Sequence, residues 1–171
     1  MILGLDNAGK TTVVRQLLGA PIDEIEPTLG FTIQTLHHQA GYDLHLWDVG
    51  GQKSLRAYWR NYFEATDGLV WVVDATDARR LDDARIALQS LLQQERLAGA
   101  TLLVFCNKQD AVGALTVQQV AERLQLNKDQ NELLQKRHWQ VLACSAVTGQ
   151  GLADGIDWMV QDIASRIFLL G

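Results

Sequence analysis

The run GLDNAGKTT, Gly4 to Thr12, constrains this chain more than any other feature, because it follows directly on the apolar residues Met1-Ile2-Leu3 and fits G-x-x-x-x-G-K-[ST]. A loop of this kind turns several backbone N–H groups toward one point, where a polyphosphate replaces the water they would otherwise bind. Gly4, Leu5, Asp6, Asn7, Ala8 and Gly9 supply the cradle and Lys10 a fixed positive charge. Thr11 offers a hydroxyl oxygen to a Mg²⁺ ion, with Thr12 beside it. The helix that must begin here brings the positive end of its dipole to the same point. A plain Gly-rich turn between a strand and a helix would carry the same letters, so the rest of the chain decides between the two.

That remainder has the order of an α/β protein. Apolar runs (MILGL, FTIQTLHH, YDLHLWDV, GLVWVVDA, TLLVFCN, WQVLACS) alternate with amphipathic stretches (TTVVRQLLG, 81–98, TVQQVAERL and a final helix), a pattern that gives a sheet covered by helices on both faces. The unbroken apolar character of GLVWVVD and TLLVFCN predicts central strands buried on both sides. FTIQTLHHQAGYDLHLWD alternates with a break at Ala40-Gly41 and predicts an antiparallel hairpin. Near the end, Leu152, Ile156, Met159, Val160, Ile163 and Ile167 recur at helical spacing and predict one packed stripe. The polar stretch 127–137 reads as an exposed loop or short helix. With 171 residues, 47% of them hydrophobic, the chain has material for one substantial core, and a single domain over 1–171 is expected.

Composition removes several function classes. A net charge of −5 argues against nucleic acid as a partner, since phosphate backbones want a basic surface. No apolar run approaches the ~20 residues of a membrane span, there is no signal peptide, and neither end carries a lipidation motif. Cys106 and Cys144 each end an apolar run and are expected to be reduced, buried thiols. His37, His38 and His45 read as a solvated hairpin and not a metal cluster. Trp59, Trp71, Trp139 and Trp158 read as packing anchors.

In an open parallel sheet, ligands gather at the carboxyl ends of the strands, and further polar motifs fall there. WDVGGQ places Asp48 where a carboxylate holds Mg²⁺ through water. It also places Gly51 where a bare N–H meets a terminal phosphate, and Gln52 where an amide orients a water for in-line attack. NKQD follows TLLVFC. Asp110 accepts from both N1–H and the exocyclic amine of guanine, a pair adenine does not offer, and lost paired bonds in a polar site discriminate strongly. Asn107 ties neighbouring loops together and the Lys108 stem lies along the ring. In CSAVTG, Ala146 presents its N–H to the guanine carbonyl and Ser145 braces the turn. In EPTLGF, Thr28 gives Mg²⁺ a second hydroxyl when a γ-phosphate draws the loop inward. Hydrolysis would release the tethers at Thr28 and Gly51 together.

GLDNAGKTT, PTLGF, WDVGGQKSLRAYWRNYF, NKQD and CSAVTG, in this order over essentially the whole chain, resemble the Arf and Arf-like small GTPases. The resemblance implies a P-loop small G domain: a mostly parallel six-stranded sheet with one antiparallel edge strand, the second in chain order, and helices on both faces. It implies that GTP or GDP and Mg²⁺ are held by residues matching Gly4 to Thr12, Thr28, Asp48, Gly51, Asn107, Lys108, Asp110, Ser145 and Ala146. Thr11 and Thr28 would lie on the metal and Gln52 would be catalytic. Hydrolysis would be slow without a GTPase-activating protein, because no arginine finger stands out in the chain; Arg56 and Arg60 read instead as effector contacts. The trio Phe31, Trp47 and Tyr62 matches the effector-facing cluster of the family.

The same resemblance implies a hairpin that slides by about two residues between nucleotide states, the smallest slip that restores the in–out alternation. WDVGGQKSLR, YWRNYFEATDGLVWVVD, ERLAGATLL and CSAVTGQGL look nearest one Arf-like branch. That branch implies lipidated-cargo carriers and tubulin-folding cofactor D as effectors, and a cytoplasmic monomer, with the centrosome, microtubules or mitochondria as its stations. Members carry an N-terminal extension before the first strand. Here Met1 opens on that strand, so no membrane anchor of that kind is expected of the sequence. Two rivals remain at this point: a nucleotide-bound scaffold without turnover, and a kinase that transfers phosphoryl groups from ATP.

Overall fold

A computed structural model describes residues 1–26, 28 and 30–169; Pro27 and Leu29 of the PTLGF motif, and the last two residues, lie outside the described residues. Six strands form one sheet: β1 (Ile2–Gly4), β2 (Phe31–His37), β3 (Asp43–Val49), β4 (Gly68–Asp74), β5 (Thr101–Asn107) and β6 (Trp139–Ala143), in the order β2-β3-β1-β4-β5-β6. β2 runs antiparallel to β3, from Phe31 opposite Val49 to His37 opposite Asp43, and the remaining pairs are parallel. Among the described residues five α-helices accompany them, α1 (Lys10–Leu18), α2 (Leu81–Leu92), α3 (Val117–Arg123), α4 (Glu132–Gln135) and α5 (Leu152–Leu169), with 3₁₀ segments at Lys53–Tyr62, Ala78–Arg80 and Glu95–Leu97.

The sheet separates two cores because alternate strand residues point to opposite faces. On one face Leu3, Leu69, Trp71, Val73, Leu102 and Val104 meet Leu81, Leu88 and Leu91 of α2 and Val120 of α3. On the other, Ile2, Val70, Val72, Leu103 and Phe105 meet Val13 and Val14 of α1 and Leu152, Ile156, Met159 and Val160 of α5. Every residue of β5 is buried, as are the five central residues of β4, which is why neither strand shows a polar side in its sequence. Trp59 and Trp71 anchor the first core edge to face, with ring centroids 6.0 Å apart. Thr116 caps α3 by accepting from the Gln119 amide while the Gln119 side chain accepts from the Thr116 amide, a reciprocal cap that fixes where the helix starts.

Three expectations are revised by packing. The α5 stripe is not buried to its end: Ile167 is 54% exposed, where it lines an open groove with Ile33, Tyr42 and Leu44 of the hairpin. His38 is not solvated: its Nε2 pairs with Asp157 Oδ1 at 2.7 Å and ties the hairpin turn to α5. The stretch 127–137 does contain a short helix, α4, but it is not exposed throughout, since Leu134 is completely buried and Arg137 is buried after it. The Arg137 guanidinium donates to the carbonyls of Leu97 (2.6 Å), Ala100 (2.9 Å) and Leu92 (3.5 Å). It satisfies chain ends that α2 and the following turn leave open. Burial lowers its pKa, and no carboxylate pairs with it among the described residues.

Replacing Arg137 by Ala removes a buried donor from three carbonyls, of which Leu97 O keeps the Ala100 amide at 3.0 Å, and is expected to cost about 2–3 kcal/mol, lowering the melting temperature by about 5–10 °C. Calorimetry checks this, and an unchanged melting temperature would contradict it.

Candidate functional site

The β1–α1 connection is shaped by what its carbonyls bind. Lys10 Nζ donates to Gly4 O at 3.2 Å and Leu5 O at 2.9 Å. Arg80 Nη1 donates to Asp6 O at 2.9 Å, Lys108 Nζ to Asn7 O at 2.8 Å, and Asn107 Nδ2 to Ala8 O at 2.9 Å. The Val13 amide takes Gly9 O at 2.9 Å as the first bond of α1. Six successive carbonyls are thus engaged, and apart from the Ala8 amide, which donates to Leu5 O at 3.3 Å, what the loop has left to offer a ligand is its amide N–H groups, whose natural ligand is an anion. Asn7 and Gly9 hold the reversed curvature with φ of 63° and 98°. A β-carbon on Gly9 would collide with the Asn107 amide, so the position accepts only glycine.

At the mouth of the loop three oxygens converge. Thr11 Oγ1 donates to Asp48 Oδ2 at 2.6 Å and lies 2.7 Å from Thr28 Oγ1, and Thr28 Oγ1 is 3.4 Å from the same carboxylate oxygen. Asp48 is buried and its Oδ1 has no partner among the described residues. Burial pushes its pKa up, against the Thr11 hydrogen bond and the Lys10 charge, which pull it down. Lys10 is buried too, and desolvation lowers its pKa to about 8. Two hydroxyls beside a buried carboxylate with a free oxygen are a hard-oxygen set of the kind that Mg²⁺ accepts, directly or through water. The site therefore fits that ion.

The WDVGGQ loop closes over the lysine. A β-carbon on Gly51 would strike the Gly4 carbonyl and the Lys10 ammonium. The Gly50 amide donates to Gly30 O at 2.8 Å, and Trp59 Nε1 donates to Gly50 O at 2.9 Å. Gln52 follows with its side-chain oxygen buried and unpartnered among the described residues. Arg56, expected to face a partner, turns inward: Nε donates to Gly51 O at 3.2 Å and the guanidinium forks onto Asp83 of α2 at 3.1 and 3.3 Å. The fork is geometrically matched to a carboxylate, and that match outweighs an exposed position.

Asn107 spans the two remaining loops. While its Nδ2 holds the phosphate loop, its Oδ1 accepts from the Ala146 amide at 2.9 Å, so this N–H, assigned from sequence to a base carbonyl, is spent on Asn107 here. Ser145 Oγ donates to Asp110 Oδ1 at 2.8 Å and accepts from the Thr148 amide at 3.1 Å. Lys108, with φ of 69°, reaches from NKQD to Asp74 Oδ2 at 2.7 Å as well as to Asn7. Asp74 and Arg80 belong to no motif. Asp74 had one signal, its place at the carboxyl end of β4; Arg80 had none. Thr12 is the third residue of α1, next to Thr11, and makes none of the side-chain bonds described here. On the outside, Phe31 stacks on Trp47 at 5.6 Å, and Tyr62 lies 4.9 Å from Phe31 and 5.5 Å from Trp47. Phe31 remains 42% exposed, so this is a surface cluster.

The sequence matches the ADP-ribosylation factor family over residues 1–163. The chain belongs to that family. It is 59% identical over 170 residues to ADP-ribosylation factor-like protein 2 of Drosophila melanogaster, covering 99% of this chain and 89% of the relative. It is 55% identical, with the same coverage, to the protein of that name from Arabidopsis thaliana. Among solved structures, the Arl6 BBS3 small GTPase of Trypanosoma brucei, carrying the nucleotide analogue GppNp, superposes with a TM-score of 0.84 at 29% identity over 96% of both chains. An Arf-family small GTPase of mixed six-stranded topology is therefore what the motifs build. No helix among the described residues is long and apolar enough to cross a membrane, and no group of three or more His, Cys, Asp or Glu among them converges on a metal.

Cys144 reaches into the same region, its Sγ 3.6 Å from Asn107 Oδ1. Both thiols are buried and pushed up to about 12 by desolvation, against about 8.5 in an open chain. At pH 8 the native thiolate fraction falls roughly 10³-fold below that of the unfolded protein. A disulfide reagent is expected to find no fast thiol in the native protein and both after denaturation; rapid native labelling would contradict the burial.

Proposed function

We propose that this chain is a GTP-operated switch that binds GTP and GDP with Mg²⁺, hydrolyses GTP slowly by itself and depends on an activating protein for speed. One observation carries the reading: Thr28 and Gly51, from two separate loops, are both drawn onto the Lys10–Thr11 corner of the phosphate loop. Loops that meet where a terminal phosphate would lie report on its presence.

In this reading the unspent amides between Leu5 and Thr12 and the Lys10 ammonium bind the phosphates, and Asp110, braced by Ser145, reads guanine above the Lys108 stem, while Ala146 is held by Asn107 and shapes the loop. Thr11 and Thr28 would hold the metal ion, with the buried Asp48 carboxylate beside them supplying negative charge. The ion would neutralise phosphate charge. Gln52 lies next to Gly51, and its unpartnered oxygen accepts from the attacking water while its amide donates toward the phosphate. Slow turnover follows from how the nearby arginines are committed: Arg56 to Asp83 and Gly51 O, Arg80 to Asp6. A guanidinium from another protein would supply the missing charge, a contribution of roughly 10³–10⁵ in rate.

Phe31, Trp47 and Tyr62 bridge the first switch loop, the hairpin and the turn after Gln52, so an effector that covers them senses all three. By kinship to the Arf-like 2 relatives we assign lipidated-cargo carriers and tubulin-folding cofactor D as effectors, with microtubule biogenesis in the cytoplasm as the setting and a monomer as the working unit. Single-turnover hydrolysis tests the enzymatic half. The wild type is expected to exceed Gln52→Leu by at least roughly tenfold; equal rates would make the chain a nucleotide-bound scaffold.

A further inference from the structure

The phosphate loop contains an acidic side chain, Asp6, at a place built to receive anions. A carboxylate there opposes the loop's purpose, and its charge is felt by both Lys10 and Arg56. Arg56 in turn holds the Gly51 carbonyl. A β-carbon on Gly51 would come within 2.6 Å of the Leu5 carbonyl carbon, which is bonded to the Asp6 amide nitrogen, so Asp6 begins on the side of the loop where Gly51 closes down, the side nearest a terminal phosphate.

Arg80 answers this conflict. It is the last residue of the 3₁₀ turn Ala78–Arg80 and immediately precedes α2, whose first residue, Leu81, is 1% exposed, so its backbone is anchored to the core. From there Nη2 meets Asp6 Oδ1 at 2.5 Å while Nη1 donates to the Asp6 carbonyl at 2.9 Å. One guanidinium thus grips both the side chain and the backbone of a single loop residue. The hydrogen bond from Arg80 holds the Asp6 carboxyl below the usual carboxylate range, so the pair is fully ionised at neutral pH.

We infer that Arg80 is a positioning residue of the phosphate loop, which neutralises Asp6 and draws its carbonyl aside so that the loop accepts the terminal phosphate of a nucleoside triphosphate. This deepens the switch reading above and rests on it. The pair's chief effect falls on the triphosphate, because the charge it cancels lies on the Gly51 side. Lys10, Lys108 and Asn107 hold the other carbonyls whether or not Arg80 is present.

Affinities for fluorescent GDP and for a fluorescent non-hydrolysable GTP analogue, with Mg²⁺, test this across Arg80→Ala, Arg80→Lys, Asp6→Asn/Arg80→Ala and the wild type. The two side chains are 33% and 36% exposed, so solvent screens the pair. An exposed carboxylate left without its counter-charge should weaken the GTP analogue by about tenfold. GDP should weaken by clearly less. The double variant should recover most of the loss, and Arg80→Lys should fall between. If Arg80→Ala does not fold, Arg80→Gln removes the charge and keeps an N–H for the Asp6 carbonyl. Equal losses for both nucleotides, no loss, or no recovery in the double variant would reduce Arg80 to a packing residue and overturn the inference. A wild type that binds neither nucleotide would overturn the switch reading instead, a result visible before any variant is compared.

Discussion

Six consecutive carbonyl groups, Gly4 to Gly9, each accept a hydrogen bond, five of them from side chains: Lys10 takes two, and Arg80, Lys108 and Asn107 take one each. A backbone loop that left these groups to water would be free to turn either its carbonyls or its amides toward the centre. Tying the carbonyls decides the matter in favour of the amides, and a concave set of amides at a helix start is an anion site. The donors come from three places far apart in sequence, α1, the turn before α2 and the end of β5. The loop's shape is thus a product of the whole sheet, and Gly4 to Thr12 alone does not determine it.

The fold makes that convergence possible through strand order. β1 lies between β3 and β4, with β5 one strand further, so the carboxyl ends that carry Asp48, Asp74 and Asn107 stand beside the end that carries the loop. Alternation along β4 and β5 sends Leu69, Trp71 and Val73 to one core and Val70 and Val72 to the other, which locks the register of the strands. A one-residue slip would reverse every inward side chain, and with it the positions of Asp74 and Asn107. Core packing and site geometry are in this sense one constraint.

Much of this was legible in the sequence. The sheet with helices on both faces, the hairpin at Ala40-Gly41 and the fully buried β5 follow from hydrophobic pattern alone, because burial on two faces and burial on one leave different periodicities. The places of GLDNAGKTT, WDVGGQ and NKQD at the carboxyl ends of β1, β3 and β5 were legible because each follows an apolar run. What escaped is of another kind. Arg80, Asp74 and the inward turn of Arg56 depend on side chains meeting across 27 to 74 residues of chain, and no local pattern encodes such meetings. Arg137 escaped for the same reason: a charged residue in a polar stretch reads as solvated until the three carbonyls it caps are seen. Ile167 shows the converse, an apolar residue in helical register that stays exposed on an open groove.

The central claim is that these loops converge on a guanine nucleotide. Calorimetric titration of nucleotide-free protein with GDP and, separately, ADP in the presence of Mg²⁺ tests it most directly. Because Asp110 can pair with two donors on guanine and with neither on adenine, GDP is expected to bind more tightly by at least about a hundredfold. Equal affinity for the two, or heat from neither, would contradict the account.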